Sequence, residues 1–233
     1  MRKLTALLLA LALTLGLSAA FADTKITVTG SGEVLIPADV AVISLGVNVR
    51  SAEAPSAQAE ANEVIAKIRE ALTAAGIDEE DISTGYINLY AAYDYSSSVE
   101  RITGYNASST LAVKVTDMTR VGEVIDLAFG AGANTLDGVS FSVSDDTEAR
   151  AEALKAAVQN AADKANVLAE AASLTRLEIK SIQEGSVHSY ENDTGNFSVR
   201  ANGKAVAEMD EATVVRAAKI VVSATVTVTY SAE

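Results

Sequence analysis

The chain has no cysteine, a single histidine and few basic residues. Without cysteine there is no disulfide, thiolate nucleophile, iron–sulfur cluster or cysteine-ligated zinc. His188 alone cannot provide a site that needs two or more imidazoles from one chain. Only 18 Lys and Arg stand against 31 Asp and Glu, a formal net charge of −13 over 233 residues. Nucleic-acid binding rests on a surplus of Lys and Arg facing phosphates, and membrane-surface attachment on polybasic clusters, so the charge balance argues against both. Beyond residue 22 no apolar run is long enough to span a bilayer, so no transmembrane segment is expected in the mature chain. What is abundant is hydrophobic sequence, 49% of residues, enough for a packed core. The length allows one large domain or two small ones.

Residues 1–22 read as a secretory signal peptide. Arg2 and Lys3 precede an uncharged stretch from Leu4 to Leu17, and Ala20-Phe21-Ala22 supplies small residues at the two positions a signal peptidase reads. The apolar stretch, about 14 residues, is short of the roughly 20 that span a membrane. Cleavage is expected after Ala22, leaving residues 23–233 as the mature domain, periplasmic or extracellular. No cysteine follows the apolar run, which excludes a lipoprotein anchor. In an oxidising compartment such a chain is held by packing alone.

Hydrophobic periodicity then sets out the elements. Ile26 and Val28 alternate with Thr27 and Thr29 as a short strand, with Gly30-Ser31-Gly32 read as the turn that breaks it. In residues 39–50, Ala41, Ile43, Leu45, Val47 and Val49 share a strand face. Pro55 suits the first turn of a helix that places Ala57, Ala61, Val64, Ile65, Ile68, Leu72 and Ala75 at helical spacing up to Gly76. Strands at 82–93 and 102–115 flank a polar hairpin loop, 94–101, and a short helix follows Asp117. A strand through Val139 and Phe141 leads to a helix at 147–173, whose inward stripe is read as Leu154, Val158, Ala161, Ala165, Leu168 and Ala172. Strands at 176–185 and 218–230 complete the chain. The fold class is α+β: two βαββ units joined by a helix, forming a largely antiparallel sheet with helices on one face.

The order of several stretches resembles the SIMPL-domain family of exported bacterial proteins. They are Ile26-Thr-Val-Thr-Gly-Ser-Gly-Glu33 with Pro37-Ala-Asp39, Ala75-Gly-Ile77 before Asp81-Ile-Ser-Thr-Gly85, Gly104-Tyr-Asn-Ala-Ser108, Gly130-Ala-Gly-Ala133, and Ala149-Arg150-Ala-Glu-Ala-Leu154 with Ala157, Ala161, Lys164 and Ala165. The resemblance implies an extracytoplasmic α+β domain without established catalysis. It also implies closed oligomers for some members and a stress-related setting for others. It carries no catalytic motif onto any residue here. Segment 186–214 matches no family pattern and is expected to be a long hairpin insertion contacting a neighbouring subunit or partner.

Candidate chemistry is sparse. Gly30-Ser31-Gly32 lacks the third glycine and following helix of a dinucleotide site. Asp78-Glu79-Glu80-Asp81 could attract a hard cation but lacks calcium-loop spacing, and a solvated turn accounts for it. Asp145 and Asp146 are accounted for by helix capping, with Asp145 three residues before Glu148. His188 lies near Ser186, Ser189, Glu191 and Asp193, but no G-x-S-x-G elbow accompanies any serine, so a triad is disfavoured. Tyr86, Tyr90, Tyr93, Tyr95 and Tyr105 gather around one hairpin, as cross-strand packing in the first reading and as an interface in the second. The expectation is therefore no catalytic, cofactor-binding or metal-binding residue, no cofactor, and a non-enzymatic exported domain. It would act through a homo-oligomer or an envelope protein partner. The alternative is a module that binds a small ligand or cation at the hairpin end of the sheet.

Overall fold

Period-two and period-3.6 patterns set out strands and helices in the expected order. The computed structural model describes residues 24–94, 100–191 and 213–232. The elements are β1 (Thr24–Pro37), β2 (Val40–Ser51), α1 (Ala54–Ala74), β3 (Ile82–Asp94), β4 (Arg101–Val115), α2 (Val121–Gly130), β5 (Thr135–Ser142), α3 (Thr147–Ala171), β6 (Leu177–Glu191) and β7 (Lys219–Ala232). Single 3-10 turns lie at Glu79–Asp81 and Met118–Arg120. The expected signal peptide, Tyr95 and most of the expected insertion lie outside the described residues.

The strands form two sheets, one ordered β3-β4-β2-β5 and one ordered β1-β7-β6. The βαββ repeat shows through with one exchange: β5 adds to the sheet of the first repeat, and β1 stands beside β7. The four-stranded sheet is antiparallel throughout. Ala41, Ile43 and Leu45 of β2 lie opposite Val115, Val113 and Leu111 of β4, so alternation puts both apolar sets on one face.

The described residues divide into two compact units, one within 33–153 with 187–191 and 213–223, the other within 24–32, 154–186 and 224–232. In the first, Ile43, Leu45, Leu111 and Val113 form a core with Ile68 and Leu72 of α1 and Val121, Val124 and Ile125 of α2. Each fully buried side chain of this size contributes about 1.5–3 kcal/mol relative to exposure. Gly76 stops α1 with φ 86°, its N–H donating to Thr73 O while Ile77 N–H donates to Leu72 O.

In the second unit two sequence expectations are corrected. Gly30-Ser31-Gly32 is not a turn. β1 runs straight through it, with Ile26, Val28, Gly30 and Gly32 all on the buried face. A Cβ on Gly30 would lie 2.7 Å from Ala161 N and 2.8 Å from Ala161 Cβ, and closer still to the Ala157 carbonyl oxygen. The glycine is there because a helix backbone lies against it. Correspondingly, the stripe α3 buries in this unit is Ala157, Ala161, Ala165 and Ala169, an i, i+4 ridge: of the expected stripe Ala161 and Ala165 are buried, and Leu154, Val158, Leu168 and Ala172 are not. Leu168 is 49% exposed and Leu154 and Val158 are half-buried. Ser31 N–H donates to Asn160 Oδ1 at 3.1 Å, and Lys164 Nζ donates to Thr29 O at 2.8 Å, fixing helix to strand.

A third correction concerns the insertion expected at 186–214. β6 continues through Ser186 to Glu191, and these residues are strand.

The repeat reaches atomic detail. Tyr86 N–H donates to Thr110 Oγ1 at 3.0 Å, beside Gly85, where a Cβ would lie 2.6 Å from the same oxygen. Ser186 N–H donates to Thr225 Oγ1 at 3.0 Å, beside Gly185, where a Cβ would again overlap that oxygen. In β3 this is a bulge: the ladder to β4 shifts between Thr84 and Ile87. The extra residue brings Ile87, Leu89 and Ala91 onto the same face as the buried Ile82.

Candidate interaction surface

The residues that could carry chemistry are placed apart or engaged as structural groups. His188 and Tyr190 stack, ring centroids 5.6 Å apart. Ser189, between them on β6, faces the other way by strand alternation, and its hydroxyl donates to the Asp146 carboxylate. Arg150 Nε also donates to Asp146, at 2.6 Å, and Arg150 Nη1 reaches Val187 O at 3.4 Å. The Arg150 guanidinium first, and the Ser189 hydroxyl second, lower the Asp146 carboxyl to about 2. Glu191 accepts from Phe141 N–H at 3.3 Å. Ser186 is engaged with Thr225. No serine is brought to His188 among these contacts, and Asp193 lies outside the described residues.

The acidic candidates also resolve. Asp145 accepts from Thr147 N–H at 2.9 Å, as a residue capping a helix start does, and its hydrogen bonds with Thr147 lower its pKa. Asp39 accepts from Ser144 N–H and Oγ at 2.7 and 2.6 Å, and those bonds lower its pKa. Asp78-Glu79-Glu80-Asp81 forms a 3-10 turn in which Asp81 pairs with Lys114 at 3.3 Å. Among the described residues, no three His, Cys, Asp or Glu side chains are grouped to hold a metal ion.

What the surface presents instead is apolar area on two sheet edges. β3 ends one sheet and β6 the other. On β3, Tyr86, Ile87, Leu89, Tyr90 and Tyr93 are 41–59% exposed, joined by Ile102 of β4 at 48%. β3 is exposed on both faces from Ser83 to Tyr90. On β6, Ile179, Ile182 and Tyr190 are 44–54% exposed. An edge strand offers a row of backbone donors and acceptors as well as side chains. Of the tyrosines expected to pack, Tyr105 does so, against Val47, Ala57, Ala61 and Ala107, whereas Tyr86, Tyr90 and Tyr93 are exposed. The exposed Ile87, Leu89, Ile102, Ile179 and Ile182 were not legible as surface residues. The available sign was that 82–93 is apolar on both faces yet uncharged.

No helix among the described residues is long and apolar enough to cross a membrane. Comparison with known proteins finds related sequences. The 26 kDa periplasmic immunogenic protein of Brucella melitensis is 33% identical over 153 residues, 64% of this chain and 61% of that protein. The uncharacterized protein YggE of Escherichia coli is 30% identical over 144 residues, 62% of this chain and 58% of that protein. YggE of Edwardsiella ictaluri is 25% identical over 173 residues, 74% of this chain and 69% of that protein. The matched stretch thus spans about three fifths of the length of the first two relatives. Residues 26–230 match the family model SIMPL, described as a protein of unknown function (DUF541). With that span matched, the chain belongs to the SIMPL family.

Proposed function

We propose that this chain is a non-enzymatic domain of the bacterial cell envelope that acts by association, with copies of itself or with another envelope protein, in a stress-related setting. The observation that carries the reading is the pair of exposed apolar edges, β3 and β6, at equivalent places in the two repeats. On β3 the exposed apolar residues are contiguous, an invitation to pairing, whereas on β6 they are interspersed with polar ones. The separation of His188 from Ser189 on opposite strand faces supports a non-catalytic role. The leader-like start and the name of the Brucella relative, a periplasmic protein, support export.

The test is the solution mass, by light scattering, of protein purified after expression of the full chain with its own N-terminal segment. The expected result is a multimer. A monomer at every concentration that also retrieves no envelope protein by cross-linking defeats the reading. Turnover in an ester or glycoside screen that is lost on Ser189→Ala or His188→Ala would defeat its non-enzymatic half.

A further inference from the structure

The two exposed edges differ in charge, and that difference selects an occupant for one of them. We propose that β3 pairs antiparallel with β3 of a second copy about a two-fold axis at Leu89. The inference rests on the self-association reading and names its contact.

β3 has no charged side chain from Ile82 to Tyr93, on a chain of net charge −13. Two copies of an acidic protein repel, and like charges set directly opposite in a ladder are destabilising. An uncharged edge is where two copies meet without that cost. β6 carries Glu178, Lys180, Glu184 and Glu191, with Glu178 paired to Arg176 and Lys180 at 2.9 and 3.5 Å. Charges of this kind on an edge strand discourage pairing.

The register follows from the ladder. Against β4, the stretch from Ile87 to Ala92 is regular, bounded by shifts between Thr84 and Ile87 and between Ala92 and Tyr93. A regular strand presents its other edge in the alternation an antiparallel partner needs. A two-fold at Leu89 keeps the pairs from Ile87 to Ala91 inside that window. It sets Leu89 against Leu89 and Ile87 against Ala91 on one face, and Asn88 against Tyr90 on the other. The first face becomes a continuous apolar row across the junction, and isologous pairing closes the assembly without a leftover β3 edge. An aromatic side chain can bury ~150–250 Å². The half-exposed Tyr86 and Tyr90 then contribute about 100 Å² each, and with Ile87, Leu89 and the strand edge about 500 Å² per copy, near the total of roughly 1,000 Å² that a specific interface needs.

The experiment uses the full chain and two pairs of variants. Leu89→Lys is expected to lower the solution mass at least twofold, with the far-ultraviolet circular dichroism of a folded chain retained and melting no longer dependent on protein concentration, whereas Ile182→Lys on β6 leaves the mass alone. Because the chain has no cysteine, Leu89→Cys is the only thiol in its variant. It is expected to form a disulfide-linked dimer on mild oxidation, whereas Ile182→Cys does not; this readout stands even if the lysine variant fails to fold. A multimer that resists Leu89→Lys, or that cross-links no better through Leu89→Cys than through Ile182→Cys, overturns the β3 contact and leaves self-association standing. A monomeric parent chain overturns both.

Discussion

α1 and α3 hold the same place in the two repeats and bury different materials. α1 buries Ala57 and Ala61 in its first half and Ile68 and Leu72 in its second, the latter in a cluster with Leu45 and Leu111. α3 buries alanine alone from Ala149 to Ala169. An alanine removes little apolar area from water, so this stripe stabilises through close atomic contact more than through area. Gly30 makes that contact available by letting strand and helix backbones meet. The helices therefore fail differently: α1 is sensitive to lost volume, α3 to added volume.

The sharpest way to break that contrast is Gly30→Val. Its side chain must overlap the backbone of Ala157 and Ala161, which cannot swing aside. The expected loss is about 4 kcal/mol in urea unfolding, at the upper end for overpacking; a loss below about 1 kcal/mol would show that the close seat does not matter. Leu72→Ala, emptying a fully buried site, is expected to cost about 3 kcal/mol, while Ala165→Gly on α3 costs about 1 kcal/mol through helix propensity. Equal losses would erase the distinction.

The helix starts differ as well. α1 begins with Pro55 in its first turn and no side-chain cap bond, whereas Asp146 ties the start of α3 to Arg150 and Ser189. Asp146 is lowered from 3.8 to about 2 on folding. Its contribution is thus fully present above the unfolded value and is lost as pH falls from about 4 towards 2. Asp146→Asn should flatten that part of the stability–pH curve measured in urea; an unchanged slope would place the charge elsewhere. The smallest effect is at the helix ends. α1 stops at Gly76, but α3 stops with Ser173 at φ 59°, a conformation that L residues adopt at a cost. Ser173→Gly should raise stability by about 1 kcal/mol, read as a shift in the urea midpoint.

Where alternation was dense, the sequence was readable. Ile43 and Leu45 share a face with Val113 and Leu111 as expected, because a single slip would have turned both sets to water. On α3, where alanine recurs on every side, spacing does not single out the buried face. Leu168 points outward while Ala165 and Ala169 point inward, since the space beneath the helix is only one methyl deep. The clue lay in β1, whose period-two pattern of Ile26 and Val28 continues through Gly30 and Gly32. Ser186 to Glu191 reads as loop because its polar residues break the apolar pattern; as part of an edge strand it has little to bury. The order of strands and helices was readable from periodicity. The exposed edges were not, since a strand apolar on both faces suits the middle of a sheet as well as its rim.

The notch at Gly30 also has a kinematic consequence. It is one residue wide, and the alanine teeth that could enter it recur only once per turn, about every 5.4 Å along α3. A small axial slide would drive a methyl into strand backbone, and a full-turn slide would have to lift the helix clear first. Helix and strand are thereby geared to one setting, and motion in this part of the molecule must proceed by disengagement rather than by gliding.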